Sequence, residues 1–439
     1  MNQRNVILRN NILLSGAMKA LGLIISFLIV PITLDYLDKE QYGIWMTLSS
    51  ILMWFSFFDV GLGNGMRNYL AQAIAENDYE KGRSQLTTTI VMLMCIALVL
   101  GIVFIGAGFL INLNKVFNTT TLTDEELRLP FLIAIVMTLA LFIVKNVGTV
   151  YIALQKYGIN DLIIILSNAI ALIIIYICTL LIPKGDLTTI VIIFTAVPVM
   201  GFILASIPLF RQHPELRPRI DCFDWNYGGQ ILTKGIGFFF IQITSCLIIF
   251  GSSNLFITQF VGPEAVTTYN IAYKFFNLLA IAYTIVISPL WNAYTDAYVK
   301  CDYEWIRATH KRALGIWVLT VIGGIIMLTM ASLFYRIWVG NSISVPFSVS
   351  ACVFVYICLY NLNNCATMLI NGLNKIRIQI ITSVAITSLY IAAVSLIGRQ
   401  GGIEGVVSCM AVSYAIMAAI HLYQCRLLII QKAKGVWNQ

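Results

Sequence analysis

Apolar residues run along this chain in long stretches separated by short polar breaks, from one end to the other. Reading the stretches against their interruptions predicts twelve helices, over 12–34, 42–69, 86–111, 129–155, 160–182, 188–210, 230–259, 265–294, 312–336, 346–371, 378–397 and 402–425. A hydrocarbon layer of about 30 Å is crossed by about 20 helical residues, so each stretch has the length of one span. Barrel strands do not fit, because the runs are continuously apolar and longer than a tilted strand of about 10 residues. A helix also satisfies its own backbone in lipid. The first run is too long for a signal-peptide core and lacks a small-residue cleavage site, so it is expected to remain as the first span.

Composition agrees with this pattern. Of 439 residues, 59% are hydrophobic and only 11% charged, against roughly 25% charged in soluble domains. The net charge of +8 comes from basic residues scattered in short loops without a stripe, which excludes a nucleic-acid surface. The N-terminus, the loops after even-numbered spans and the C-terminus hold most of the Lys and Arg, among them Arg4, Arg9, Arg83, Arg217, Arg219, Lys311 and Lys432. The opposite loops hold few, such as Lys39, Lys115 and Arg399. That bias places both termini in the cytoplasm. The ten cysteines form no C-x-x-C pair and lie mostly in apolar runs, where they act as small buried hydrophobes.

The polar segment 211–229, RQHPELRPRIDCFDWNYGG, falls at the midpoint and divides the chain into 1–210 and 230–439, six spans each. FLIVPITLDYLDKEQYGIW (27–45) can be laid against SSNLFITQFVGPEAVTTYNIA (252–272), each an apolar run, an Ile-Thr, a short acidic turn and a Tyr entering the next span. Internal repeats of this kind are the usual architecture of secondary transporters.

Parts for an enzyme are missing. His213, His310 and His421 all map to the cytoplasmic side, and there is no H-E-x-x-H or G-x-x-x-x-G-K-[ST] motif. No metal set or organic cofactor is expected. A charge at a helix centre costs about 2.5–3.5 kcal/mol, so intramembrane charges mark cavities or partners. Lys19 lies roughly 10 Å into the first span and Lys274 roughly 14 Å into the eighth, at 1.5 Å per residue; Lys145 is deep in the fourth and Asp59 in the inner half of the second. Each lysine either borders a cavity or is held by snorkelling or an ion pair. Lys234, Asp161 and Asp296 lie near span ends and can reach the interface. Three deep cations against one deep anion imply a net-positive cavity that attracts an anionic passenger, a diphosphate being a fitting one. Asp59 either pairs with a Lys or Arg67 or serves as a coupling or gating group. Pro31, Pro198 and Pro289 are expected to bend or interrupt their helices. Gly61, Gly63, Gly65, Gly235 and Gly237 allow close packing. Trp54 is deep enough for helix core or for stacking on a sugar ring.

The stretch 10–83 resembles the amino-terminal part of polysaccharide-exporting flippases of the Wzx type. It carries an early span ending in P-I-T (31–33), the turn L-D-K-E-Q-Y-G-I-W (37–45), F-D-V-G-L-G-N-G-M-R-N (58–68) and an amphipathic stretch after it. Their superfamily also contains multidrug exporters of the MATE type and lipid II flippases. The resemblance implies an all-α integral membrane fold, two six-helix bundles in a MATE-like V around a central cavity, and alternating access. It implies an undecaprenyl-diphosphate-linked oligosaccharide carried from inner to outer leaflet of a bacterial inner membrane, with H⁺ or Na⁺ as coupling ion and other polysaccharide-assembly membrane proteins as partners. By position, Lys19, Lys145 and Lys274 would hold the diphosphate and Asp59 with Arg67 would couple or gate, with Lys234 and Trp54 as accessory residues. Lipid II flippases favour arginines in their first two spans, which this chain lacks apart from Arg67. A cation-coupled small-molecule exporter is the first alternative, although it would favour more intramembrane acid; a membrane glycan polymerase or ligase is the second.

Overall fold

The computed structural model describes residues 3–55, 58–59, 62–182, 185–230, 251–341 and 343–439, with side chains from residue 20 onward except at 64, 68 and 157. Contacts divide the chain into two compact units, Met1–Gln242 and Ile243–Gln439. Described elements of the first unit are α1 (Gln3–Tyr36), α2 (Lys39–Trp54), α3 (Leu62–Ala75), α4 (Tyr79–Leu110), the short α5 (Leu113–Phe117), α6 (Asp124–Val144), α7 (Asn146–Ala153), α8 (Tyr157–Leu181) and α9 (Leu187–Gln212). The second unit has α10 (Ser253–Phe260), α11 (Pro263–Ile287), α12 (Leu290–Val299), α13 (Tyr303–Val339), α14 (Phe347–Gly372), α15 (Arg377–Ala393) and α16 (Arg399–Ile429). Among the described residues, eight helical stretches are long and apolar enough to cross a membrane, and Ala20–Tyr36 is a shorter apolar helix. Leu98, Ile102 and Leu110 on α4 and Leu319 and Ile337 on α13 are exposed. Apolar faces of that extent are stable only against lipid. The chain is an all-α, multi-span membrane protein.

Among the described residues, three predicted spans are not single helices. The stretch 42–69 is cut into α2 and α3 around Asp59, where the glycines at 61, 63 and 65 lower helix propensity and Asp59 Oδ1 accepts from Gly63 N at 2.8 Å. The stretch 129–155 breaks at Lys145 between α6 and α7. The stretch 265–294 breaks before Pro289, as the missing N–H of proline requires. The predicted stop near 397 is instead a π-helical turn, Val394–Gly398, running into α16, whose axis kinks at Gly402 (φ +61°).

The first unit is organised around α8 and α9, with α1 and α7 on α8, α6 on α9, and α3 between α4 and α7. In the second, α14 is central and touches α11, α12, α13 and α16. The same local signals recur in both. The sequence D-Y-E-x-x-R occurs at 78–83 and again at 302–307. Each copy follows a left-handed residue, Asn77 or Cys301. Asp78 accepts from Lys81 N and Asp302 from Trp305 N, both at 3.0 Å, so each caps the long helix that follows. Ala-Leu-Gln-Lys (153–156) and Gly-Leu-Asn-Lys (372–375) form matching helix ends with Gln155 and Asn374 left-handed. There Lys156 N returns to Tyr151 O and Lys375 N to Ile370 O, which satisfies carbonyls that the ending helix leaves open. On this register Val150 and Leu209 in one apolar cluster correspond to Leu369 and Leu428 in the other.

The mid-chain segment is docked onto the first unit. Arg83 Nε donates to Glu215 O (2.8 Å), Thr87 Oγ1 accepts from Arg219 N (3.2 Å) and Thr88 Oγ1 from Asp224 N (2.9 Å). His421 is fully buried: Nδ1 pairs with Asn363 Oδ1 (2.7 Å) and Nε2 with Thr382 Oγ1 (2.9 Å). Gly372 has no room for a methyl group, since a Cβ would fall 2.9 Å from Trp291 O and 2.7 Å from Tyr294 Cβ. Gly372→Ala is therefore expected to cost about 1–3 kcal/mol. A thermal melt in detergent that leaves the midpoint unchanged would contradict this packing.

Candidate functional site

A cavity of about 490 Å³ opens inside the first unit. Two helix breaks frame it. On one side the turn after α2 presents Asp59; on the other Lys145 interrupts the α6–α7 span. Asn146 explains the second break: its Nδ2 donates to Phe142 O and Ile143 O, both at 3.2 Å, in competition with the backbone ladder. The Lys145 ammonium lies 5.2 Å from the centre of the Phe142 ring, a cation–π contact. Asp59 lies near enough to attract it electrostatically.

The remaining wall follows helical periodicity. Leu141, Lys145, Thr149 and Ile152 form one stripe, and Asn160, Ile164, Ser167 and Asn168 form another on α8. Pro198 and Phe202 of α9 close the far side. Glycines bring these helices together. A Cβ on Gly63 would lie 2.9 Å from Asp59 Oδ2 and 3.3 Å from Asn146 Oδ1. A Cβ on Gly148 would overlap Asn160 Oδ1 and approach Phe202 to 3.0 Å. Among the described residues, Thr149 and Asn168 make no hydrogen bond, so their polar atoms are free to meet whatever fills the cavity.

The predicted residues are distributed as follows. Lys145 and Asp59 share this cavity. Arg67 does not pair with Asp59; it is exposed and lines a second cavity of about 450 Å³ with Ala71, Ile74 and Gln155, and Ile152 belongs to both walls. Trp54 is on α2 with its indole N–H buried and is not part of the cavity wall. Lys274 is half-buried on α11 of the second unit and makes no hydrogen bond or ion pair among the described residues. Lys19 lies on α1, its side chain outside the described residues, and Lys234 lies outside them altogether. Among the described residues the charged groups in this cavity wall are one cation, Lys145, and one anion, Asp59. Asn146, Thr149, Asn160, Ser167 and Asn168 were missed. Their signal was present as amides and hydroxyls at helical spacing in otherwise apolar spans.

The sequence profile of the polysaccharide biosynthesis protein family matches residues 8–290. The chain belongs to that family. It is 24% identical over 364 residues to a putative O-antigen transporter of Salmonella typhi, covering 80% of this chain and 79% of that one. A putative O-antigen export protein of Yersinia pseudotuberculosis is 21% identical over 314 residues, 69% of each chain. Among solved structures, an inward-facing MATE-family multidrug transporter of the MOP superfamily superposes with a TM-score of 0.76 at 13% identity, over 93% of this chain and 95% of that one. The lipid II flippase MurJ in an inward closed conformation superposes with a TM-score of 0.73 at 14% identity, over 94% and 87%. The fold is therefore that of the MATE and MurJ transporters.

Helix proximity at Gly148 holds Asn160 against the cavity, so Gly148→Ala should force α8 outward or turn the amide away. A loss of about 1–3 kcal/mol is expected. Adding Asn160→Ala should recover part of it, read as a partial return of the melting midpoint; strictly additive losses would mean the two positions do not touch.

Proposed function

We propose that this family member is a flippase that carries an oligosaccharide, linked through diphosphate to undecaprenol, from the inner to the outer leaflet by alternating access. The observation that carries this reading is Lys145 in the wall of a mostly apolar cavity of about 490 Å³ that also presents the amides of Asn146, Asn160 and Asn168, a volume typical of small-molecule sites. The sequence likeness to O-antigen transporters supports a polysaccharide passenger, and the fold shared with a lipid II flippase is one that can carry a lipid-linked one. An ammonium in low-dielectric surroundings is a strong, flexible point attractor for phosphate oxygens. Asp59 balances it while the cavity is empty, and an arriving diphosphate competes with Asp59 for Lys145. A proton or Na⁺ taken by Asp59 relieves that competition, which is how ion coupling would enter. Lys19 and Lys274 add cationic character at the depths set by their spans. The lipid tail stays in the bilayer, and both termini face the cytoplasm of a bacterial inner membrane.

The MATE structures raise a second reading, export of amphiphilic cations. Lys145 opposes it, because a cationic passenger would meet a resident ammonium.

In proteoliposomes loaded with a fluorescent undecaprenyl-diphosphate oligosaccharide, Lys145→Ala should cut translocation at least about tenfold, a difference of about 1.4 kcal/mol. Lys145→Arg should retain a measurable part. Full transport by the alanine variant, with normal insertion, would remove Lys145 from the mechanism. In the same assay Asp59→Asn should abolish the response to an imposed ion gradient while leaving uncoupled exchange.

A further inference from the structure

The repeat that relates the two units gives the cavity an internal control. On the register set by the D-Y-E-x-x-R copies and by Ala-Leu-Gln-Lys against Gly-Leu-Asn-Lys, Asp59 corresponds to Tyr283, Gly63 to Ile287, Asn146 to Cys365 and Thr149 to Met368. Those second-unit residues form one packed apolar cluster with Ala313 and Trp317. Tyr283 and Ile287 are fully buried, and Tyr283 Oη donates to Ala313 O at 3.1 Å. The same scaffold position is thus filled in the second unit and hollow in the first. It is hollow because a tyrosine, an isoleucine and a methionine have given way to an aspartate, a glycine and a threonine. Such a substitution forfeits burial worth about 1.5–3 kcal/mol for each large side chain. It also places the Thr149 hydroxyl in the void beside Asn168, and among the described residues neither makes a hydrogen bond.

We infer that Thr149, Asn160 and Asn168 form a subsite for the hydroxyl groups of a neutral sugar, the one joined directly to the diphosphate. This inference rests on the reading of Lys145 as the phosphate contact. Neutral amides and a hydroxyl supply both donors and acceptors without charge, the complement of a polyol. Thr149 is one helical turn beyond Lys145 on the same stripe, which fixes the sugar subsite next to the phosphate contact. A metal cation is a poorer occupant, since the Lys145 ammonium already holds the positive place beside Asp59.

The test compares binding of undecaprenyl diphosphate and of undecaprenyl diphosphate bearing one hexose to the full chain in nanodiscs. Wild type should bind the sugar-bearing lipid about tenfold more tightly, as two hydrogen bonds of about 0.5–1.5 kcal/mol each allow. Thr149→Met, which imports the second unit's Met368, combined with Asn168→Leu, which removes the amide, should equalise the two affinities while bare-lipid binding stays as it is. Thr149→Val with Asn168→Ala, which removes polar atoms without adding bulk, should do the same and guards against misfolding. Lys145→Ala should weaken both lipids together. An undiminished sugar preference in both double variants, or equal affinities in wild type, overturns the subsite. Unchanged bare-lipid binding in Lys145→Ala instead overturns the phosphate role of that lysine, and a sugar preference that persists beside it leaves the subsite standing.

Discussion

A helix in hydrocarbon is stable because each backbone amide finds its partner within the same segment, and any break must be covered by something else. That constraint organises the first unit. Among the described residues, the interruptions around Asp59 and at Lys145 have their own side chains taking up backbone groups: Asp59 accepts from the Gly63 amide, and Asn146 donates to two carbonyls of α6. Both breaks open onto the same cavity. The charged pair therefore lies where the backbone is already locally irregular and the helices leave space.

Comparison of the two units shows how little sequence change separates a packing core from a site. The apolar cluster that includes Ile163 and Phe202, with Val144 packed on it, corresponds on the repeat register to Thr382, His421 and Asn363, a buried hydrogen-bonded triad. The traffic runs both ways. The second unit puts a polar network where the first is apolar, and the first puts a polar cavity where the second is filled by Tyr283 and Met368. In each unit the polar group is fully bonded or faces open volume, as the cost of an orphaned polar atom demands. Tyr283 is an example of the bonded kind, with its hydroxyl on Ala313 O.

Much of this was legible in the chain itself. Apolar run length gave the class of fold, and the cost of a buried charge singled out Lys145 and Asp59, which do meet in one cavity. The breaks were harder to read. Hydropathy reports that 42–69 and 129–155 are apolar, but it is insensitive to whether the backbone within them stays helical; the evidence lay in single residues, the glycines after Asp59 and the amide of Asn146. The amides of α8 were overlooked for a related reason. An asparagine lowers mean hydropathy only slightly, and its meaning emerges when Asn160, Ser167 and Asn168 are placed on one helical stripe. The D-Y-E-x-x-R repeat was equally available and is more decisive than the segment pair first laid side by side, because capping geometry fixes its register.

The path of the chain after α9 has a mechanical consequence. Residues 213–228 are strapped along α4 by Arg83, Thr87 and Thr88, and Gly228 lies close to Met92 on the same helix. The segment that leaves α9 is thus braced on the long α4 rod through three separate contacts along its length. α4 in turn packs on α3 and α6, the helices beside the two breaks, so the strap, the rod and both breaks form one mechanically continuous block of the first unit.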